Sequence, residues 1–165
     1  MSDFFFDFFQ NKIRNIDSLT YNDILNYDNK KLEDKHNYIQ YLFPLPIRSR
    51  YNPNAPVISQ IFINEAINNM EIRKNIIKSF LRMLNFYGYN YTVKPFNIID
   101  KGEVKQWLSR RNHNYLRITR ILKFLMLVKM DLLAYKFVEQ LCKLKDKIDE
   151  DSFNFWITTI KLLEG

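Results

Sequence analysis

The sequence predicts an all-α fold, a single-domain orthogonal bundle of about six to eight helices around one buried central helix. The stretch from about 112 to 128, NHNYLRITRILKFLMLV, is the longest uninterrupted helical signal. No run of strict apolar–polar alternation occurs, only 3 of 165 residues are glycine, and no repeat period stands out. We expect residues 1–165 to form this one domain, with a phenylalanine-rich segment at residues 1–20 packing on it.

The predicted central helix is apolar on most of its circumference. At about 100° per residue, its apolar side chains spread around most of the helical wheel, which is typical of a buried helix. These side chains are Leu116, Ile118, Ile121, Leu122, Phe124, Leu125, Met126, Leu127 and Val128. Arg117 lies between Phe124 and Ile121 on this wheel, so its guanidinium should point inward. A buried arginine must be paired or must bind a ligand.

Two helices are predicted after the N-terminal segment, at residues 22–25 and 30–43. Asp28 or Asn29 caps the second helix, which ends before Pro44. His36 falls on the apolar side of this helix and should face the core, with Gln40 one turn further on its flank. The N-terminal run MSDFFFDFFQNK predicts a short helix, and an interfacial membrane anchor is its alternative. The phenylalanines expected in the core are Phe5, Phe6 and Phe9.

The middle and end of the chain read as a long loop followed by further helices. Residues 44–57 hold four prolines, and we expect a loop pinned by its own Ile47, Tyr51 and Val57. Helices at 59–68 and 70–87 follow, capped by Ser59 and stopped by Gly88. Residues 89–109 suggest only one amphipathic turn. A break near 129–131 precedes a helix reaching residue 144. The last helix should carry Phe155, Trp156, Ile160 and Leu163.

Composition restricts the function classes. Cys142 is the only cysteine, so no internal disulfide can form, and we expect its thiol to be buried. With His36 and His113 as the only histidines, no metal site and no cofactor are expected. No phosphate loop or nucleophile elbow occurs, so we predict a non-enzymatic protein without catalytic residues. The N-terminus lacks a basic region and a long apolar run, so we expect a soluble, intracellular chain, cytoplasmic or nuclear.

The net charge of +7 is concentrated beside the central helix. Seven bases against one acid, Glu103, lie between residues 101 and 123, near Tyr89, Tyr91, Trp107 and Tyr115. Such a cluster favours nucleic acid, anionic lipid or an acidic partner. Nucleic-acid binding, with these rings stacking on bases, is therefore the alternative function. The bases are Lys101, Lys105, Arg110, Arg111, Arg117, Arg120 and Lys123.

A binding cleft for a peptide end or an acidic side chain is the main functional hypothesis. It rests on the inward arginine of the central helix and on the polar residues at its start. The candidate binding residues are His36, Gln40, Tyr41, Asn112, His113, Asn114, Arg117 and Arg120. The structural alternative is that Arg117 forms an internal ion pair with Asp34 or Glu33.

Five separated blocks also resemble a known family. They are LEDKHNYIQYLFPLP at 32–46, Ser49, NPNAP at 52–56, RMLNFYG at 82–88 and HNYLRITRILKFL at 113–125. In order and rough spacing they resemble the conserved domain of the opioid growth factor receptor family, over about residues 23–144. Two positions depart from the family pattern: Tyr41 replaces a usual tryptophan, and Lys129 stands where a glycine commonly separates two helices.

This resemblance implies a receptor-like protein that binds a peptide or protein partner. The vertebrate member is a receptor for an enkephalin-type peptide, restrains proliferation and associates with nuclear membranes. By resemblance, peripheral association with the perinuclear membrane is implied here too. The chain is similar to the compact form of the family, without the long repeat-bearing tail, so a peptide- or protein-binding module is expected.

Overall fold

The computed structural model describes residues 3–161 and shows a mostly helical protein. The expectation of a purely helical fold is wrong, because a two-stranded antiparallel sheet interrupts the helices. The strands are β1, Tyr89–Val93, and β2, Phe96–Asp100, and a short 3₁₀ helix spans Lys145–Lys147. The α-helices among the described residues are α1 Phe4–Phe9, α2 Tyr21–Leu25, α3 Asn29–Asp34, α4 Ile39–Leu42, α5 Gln60–Asn68, α6 Met70–Phe86, α7 Asn114–Leu127, α8 Asp131–Cys142 and α9 Glu150–Lys161.

The chain divides into two compact units, Met1–Arg82 and Met83–Gly165. The division falls inside α6. Each unit has its own set of buried side chains. A single domain over residues 1–165 therefore stays a prediction.

In the first unit, α1 is held at its first residue and by its aromatic side chains. Asp3 caps the helix by accepting from the backbone N–H of Phe5 at 2.9 Å, and its second oxygen accepts from Ser59 Oγ at 2.6 Å. Ser59 in turn caps α5, as the sequence predicted. Phe5, Phe8 and Phe9 are fully buried. The expectation for Phe6 is wrong, because Phe8 occupies the core in its place. Phe4 and Phe6 of the same helix are only partly buried, and the alternative of an interfacial membrane anchor stays a prediction.

A break separates α3 from α4, and the single helix predicted at 30–43 is therefore wrong. Asp28 caps α3 as expected, accepting from the N–H of Lys31 at 2.7 Å. Lys35 then turns to extended backbone, with φ −89° and ψ 138°. Two side-chain bonds hold the segment after it: Tyr38 Oη donates to the carbonyl of Leu32 at 2.8 Å, and Asn37 Nδ2 donates to Asp17 Oδ2 at 2.9 Å. These two bonds, a local one and one to Asp17 twenty residues earlier, override the weak helical preference of the segment.

In the second unit, α7 carries the buried face that the sequence predicted and packs against α8 and α9. Trp156 of α9 donates its indole N–H to Thr119 Oγ1 at 2.9 Å, and its ring meets Tyr115 edge-on with centroids 5.7 Å apart. The last helix carries Phe155 and Trp156 as predicted, with Phe155 half exposed. Ile160 is partly buried, and Leu163 lies outside the described residues.

The turn after α7 is a complete Schellman motif. Lys129 adopts φ +56°, its N–H donates to the carbonyl of Met126 at 3.2 Å, and the N–H of Met130 donates to Leu125 at 2.8 Å. The predicted break at 129–131 is confirmed. A glycine is the usual residue at this left-handed position, which gives a physical reason for the glycine common in the family pattern.

The hairpin β1–β2 is the element that the sequence missed. Its strands pair from Tyr89 with Asp100 to Val93 with Phe96, around a turn whose Lys94–Pro95 peptide bond is cis. Of its ten strand residues only Tyr89 and Ile98 are buried. β1 does alternate apolar and polar residues, as YNYTV, so the expectation that no alternating run occurs is wrong for this short segment.

Candidate functional site

A chain of polar side chains leads into the start of α7. Asn112 Oδ1 accepts from the backbone N–H of Asn114 at 2.9 Å and from its Nδ2 at 3.0 Å. Asn114 Oδ1 accepts from Arg117 Nη1 at 3.1 Å, and Asn112 Nδ2 donates to Ser109 Oγ at 2.8 Å. His113 lies against Asn114, with 3.4 Å between His113 Nε2 and Asn114 Nδ2. The predicted cluster of Asn112, His113, Asn114 and Arg117 is therefore present within the second unit.

Arg117 is buried, as its position on the helical wheel predicted. Its exposed fraction is 5%, and that of Asn114 is 0%. An ion pair of Arg117 with Asp34 or Glu33 stays a prediction. Asp34 pairs with Lys30 on its own helix, and this lysine lowers the pKa of the Asp34 carboxyl. Arg120 is half-buried, and burial lowers the pKa of its guanidinium.

The candidate residues of the first unit have different surroundings from those predicted. His36 lies in the break between α3 and α4 and is exposed, so its expected core position is wrong. Tyr41 is 1% exposed and packs on the phenylalanines of α1, with 5.6 Å between its ring centroid and that of Phe8. The surroundings of Tyr41 are therefore those of a core residue in the first unit. A cleft joining His36, Gln40 and Arg117 stays a prediction.

Gln40 is part of a hydrogen-bond cluster that holds the long loop before α5. Ser49 Oγ accepts from the backbone N–H groups of Tyr51 and Asn52, each at 3.2 Å, and from Gln40 Nε2 at 3.4 Å. Asn52 Nδ2 donates to Gln40 Oε1 at 3.4 Å and to the carbonyl of Asn37 at 3.3 Å. These side chains, and not the apolar residues expected from sequence, fix the loop.

The two ends of this loop are joined to each other. The N–H of Ile58 donates to the carbonyl of Leu45 at 3.3 Å, which closes residues 45–58 into a compact loop of the Ω type. Arg48 Nη1 also donates to the carbonyl of Pro53 across the loop. Closed in this way, the loop has its own internal support.

The outer side of the loop exposes large apolar groups beside two bases. Ile47 is 78% exposed and Tyr51 76% exposed, and Arg48 and Arg50 are also exposed. The expectation that Ile47, Tyr51 and Val57 pin the loop is wrong, because all three point outward. We call Ile47, Arg48, Arg50 and Tyr51 the loop face. Sequence reasoning missed it, although its signal was present as two arginines between apolar residues in a proline-rich loop.

Most of the aromatic rings proposed for stacking on nucleic acid are inside the protein. Tyr89, Trp107 and Tyr115 are each at most 4% exposed, and only Tyr91 is partly open. Two of the seven bases are also inaccessible to a nucleic acid. Arg117 is buried, and the Lys105 side chain is 5% exposed and bonded to Asp100 at 2.8 Å. These features remove much of the basis for the nucleic-acid hypothesis.

Metal-binding clusters and membrane-spanning helices are absent from residues 3–161. This part of the chain contains no group of three or more histidine, cysteine, aspartate or glutamate side chains placed to hold a metal ion. None of its helices has both the length and the apolar character needed to cross a bilayer. Cys142 is exposed, contrary to the expectation of a buried thiol, because it falls at the end of α8 on its solvent side.

The profile of the opioid growth factor receptor (OGFr) conserved region matches residues 2–164. The chain belongs to the opioid growth factor receptor family. It is 38% identical over 125 residues to opioid growth factor receptor-like protein 1 of Xenopus tropicalis. The aligned region covers 72% of this chain and 24% of that protein. It is 34% identical over 128 residues to the opioid growth factor receptor of Homo sapiens, covering 72% of this chain and 18% of the receptor.

The chain thus spans about a quarter or less of the length of these relatives. No solved structure matches it. Gln40, Ser49 and Asn52, which hold the loop, all fall in the blocks that resembled the family. The family assignment and the loop geometry therefore concern the same part of the sequence.

Proposed function

We propose that this member of the opioid growth factor receptor family is a non-catalytic interaction module whose loop face binds a peptide or protein partner. The observation that carries the proposal is the closed loop 45–58, which holds Ile47 and Tyr51 in solvent on either side of Arg48 and Arg50. The family names support it in general terms, because the relatives are named as receptors or receptor-like.

The composition of the loop face is typical of an energetically important contact. Tyrosine and arginine are among the residues most enriched in interface hot spots, and a bound partner would remove Ile47 and Tyr51 from water. Because the loop is closed and hydrogen-bonded before binding, little conformational entropy would be lost when the partner docks. Pre-organisation of this kind favours affinity.

The charges of the loop face indicate the partner's chemistry. Arg48 and Arg50 lie between Ile47 and Tyr51 in the sequence, and the chain carries a net charge of +7. The complementary partner is a segment with acidic side chains beside apolar ones, so that carboxylates meet the guanidinium groups. We also infer an intracellular location, in keeping with a thiol that is exposed and a chain with one cysteine.

The proposal also includes the arrangement of helices in the second unit. We infer that α7 is its central helix, since α8 and α9 both pack against it and its inner face is buried. The Asn112–Arg117 cluster then positions the start of that helix. Nucleic-acid binding is the weaker alternative. A salt titration with a short oligonucleotide tests it, since phosphate contacts weaken steeply as salt rises.

A peptide-display selection tests the loop face directly. Random peptides are selected on the wild-type chain and then measured by fluorescence anisotropy on an Ile47→Ser/Tyr51→Ser variant. The matched control is Ile16→Ser/Ile61→Ser, which removes two isoleucines that are each 72% exposed elsewhere in the same unit. We expect acidic, apolar peptides whose affinity falls at least about tenfold in the loop variant only.

Two results would contradict the proposal. One is that no peptide is enriched over a blank surface. The other is that selected peptides bind the loop variant and the control variant equally well. Circular dichroism of all three proteins shows whether the substitutions leave the fold intact.

A further inference from the structure

The hairpin β1–β2 is covered unequally on its two edges. On the β2 side, Gln140 Nε2 of α8 donates to the carbonyl of Ile98 at 3.1 Å. At the base of the hairpin, the Tyr89 ring packs edge-on against Phe137, with centroids 6.2 Å apart. Within the part of the chain that the structure describes, the sheet has two strands, so β1 has one edge without a strand neighbour.

The outer edge of β1 is open to solvent. All of residues 90–93 are exposed, and within residues 3–161 the backbone of these residues makes hydrogen bonds only inside the ladder with β2. Backbone donors and acceptors along an open edge are available to pair with another extended chain. Natural proteins usually guard such an edge with charged residues or proline. The segment Tyr89–Val93 contains neither.

One face of the hairpin also offers side-chain contacts next to this edge. Tyr91 and Val93 point to the same face, because side chains alternate along a strand. They are 43% and 69% exposed. Phe96, opposite Val93, shares the face, and its ring centroid lies 6.5 Å from that of Tyr91. An added strand would find apolar contacts at every second residue, which is how strand-binding domains obtain specificity.

We propose that the outer edge of β1 is a second binding site, which pairs with an acidic peptide in extended conformation as a third strand. This site lies in the second unit and goes beyond the proposed function of the loop face. The peptide's backbone would bond to the open edge, and its alternate apolar side chains would cover Tyr91 and Val93.

The positive charge of the hairpin turn and of the whole chain is the reason that we propose an acidic peptide at this edge rather than a second copy of this chain. Lys94 lies exposed in the hairpin turn, at one end of this edge. A carboxylate near that end of an incoming strand would meet Lys94, whereas a second copy would bring the same positive charge, from a chain of net +7.

The test uses a labelled synthetic peptide of about eight residues that alternates valine and glutamate, which is long enough to form one strand. Its affinity is compared with that of the same peptide N-methylated at its central residues. N-methylation keeps charge and side chains but removes the backbone donors and obstructs strand pairing. We expect N-methylation to weaken binding about tenfold or more. Amide exchange should show new protection at alternate residues of 90–93.

A pair of protein variants tests the charge requirement. Thr92→Glu and Thr92→Lys both lose the Thr92 hydroxyl bond to the carbonyl of Pro95, so they match in their effect on the turn. The Glu variant should bind the peptide several-fold more weakly than the Lys variant. Circular dichroism confirms that both remain folded.

Three outcomes would overturn the inference: no binding of the peptide, equal binding of the N-methylated peptide, or a dimer in sedimentation that is lost in both Thr92 variants. Ile47→Ser/Tyr51→Ser should bind the strand peptide as well as the wild type does. Failure of the loop face and failure of the strand edge are therefore distinguishable.

Discussion

Arg117 Nη1 donates to Asn114 Oδ1 across 3.1 Å, and both side chains are almost completely removed from water. The amide oxygen is therefore a fixed acceptor for a buried positive charge. Hydrogen bonds to charged groups contribute more than neutral ones, and their loss inside a protein leaves a donor unsatisfied.

Asn114→Ala should destabilise the protein by about 1.5–3 kcal/mol, because Arg117 loses this acceptor. Urea unfolding followed by circular dichroism measures the change. Leu116→Ala is the control on the same helix: its side chain is 55% exposed, so its effect should stay near about 0.5 kcal/mol. Equal effects of the two substitutions would show that the Asn114–Arg117 bond contributes little.

Lys129→Gly should stabilise the protein by about 0.5–1 kcal/mol, because Lys129 has φ +56° and a Cβ is unfavourable in that conformation. The Schellman bonds around it are kept. Lys129→Ala removes the same long side chain but retains the Cβ, so it should give no gain. A glycine variant no more stable than the alanine variant in thermal unfolding would contradict the prediction.

Alkaline pH should destabilise the first unit through Tyr21. This hydroxyl lies 2.6 Å from the carbonyl of Asn75 and 2.9 Å from Ser79 Oγ, and burial raises its pKa to about 12. The unfolded chain has a tyrosine pKa near 10, so the stabilisation is complete below about pH 10 and is lost as pH rises through about 12. The expected loss is roughly 3 kcal/mol.

Tyr21→Phe tests this pH dependence, because phenylalanine fills the same space and cannot ionise. The variant should be less stable than the wild type at neutral pH, since two hydrogen bonds are lost, but should lose less stability between about pH 10 and 12. Urea unfolding at several pH values measures both effects. Parallel pH curves for the two proteins would exclude Tyr21 as the titrating group.

Ser49→Ala should loosen the loop 45–58 without unfolding the protein. The substitution removes the acceptor shared by the N–H groups of Tyr51 and Asn52. Protease cleavage within the loop should become several-fold faster while the thermal midpoint changes little. Ser49→Thr keeps the hydroxyl and should restore slow cleavage. Unchanged cleavage of the alanine variant would mean that other contacts fix the loop.

Helices that are specified by the apolar spacing and capping residues of their own segment were predictable from the sequence. Apolar spacing located α6 and α7, and Ser59 and Gly88 marked a beginning and an end that the structure confirms. The inward position of Arg117 followed from the same periodicity. The polar start of α7 was identified as well, although the order of its hydrogen bonds depends on side-chain geometry.

Features decided by distant contacts were not predictable. The continuous helix at 30–43 was wrong because bonds from Tyr38 and Asn37 interrupt it, and His36 consequently became exposed. The β1–β2 hairpin was not predicted because most of its residues are exposed on both faces of the sheet. The residues of the loop face were visible in the sequence, but their outward position was not, because it depends on bonds within the loop and on one from Gln40 of α4 to Ser49.

Both tryptophans of the chain, Trp107 and Trp156, lie in the unit Met83–Gly165, and both are nearly inaccessible to water. Their emission is consequently an intrinsic optical reporter of that half alone, whereas far-ultraviolet dichroism records helices of both halves. Denaturation followed simultaneously by the two signals distinguishes one cooperative transition, with coincident curves, from two separate ones.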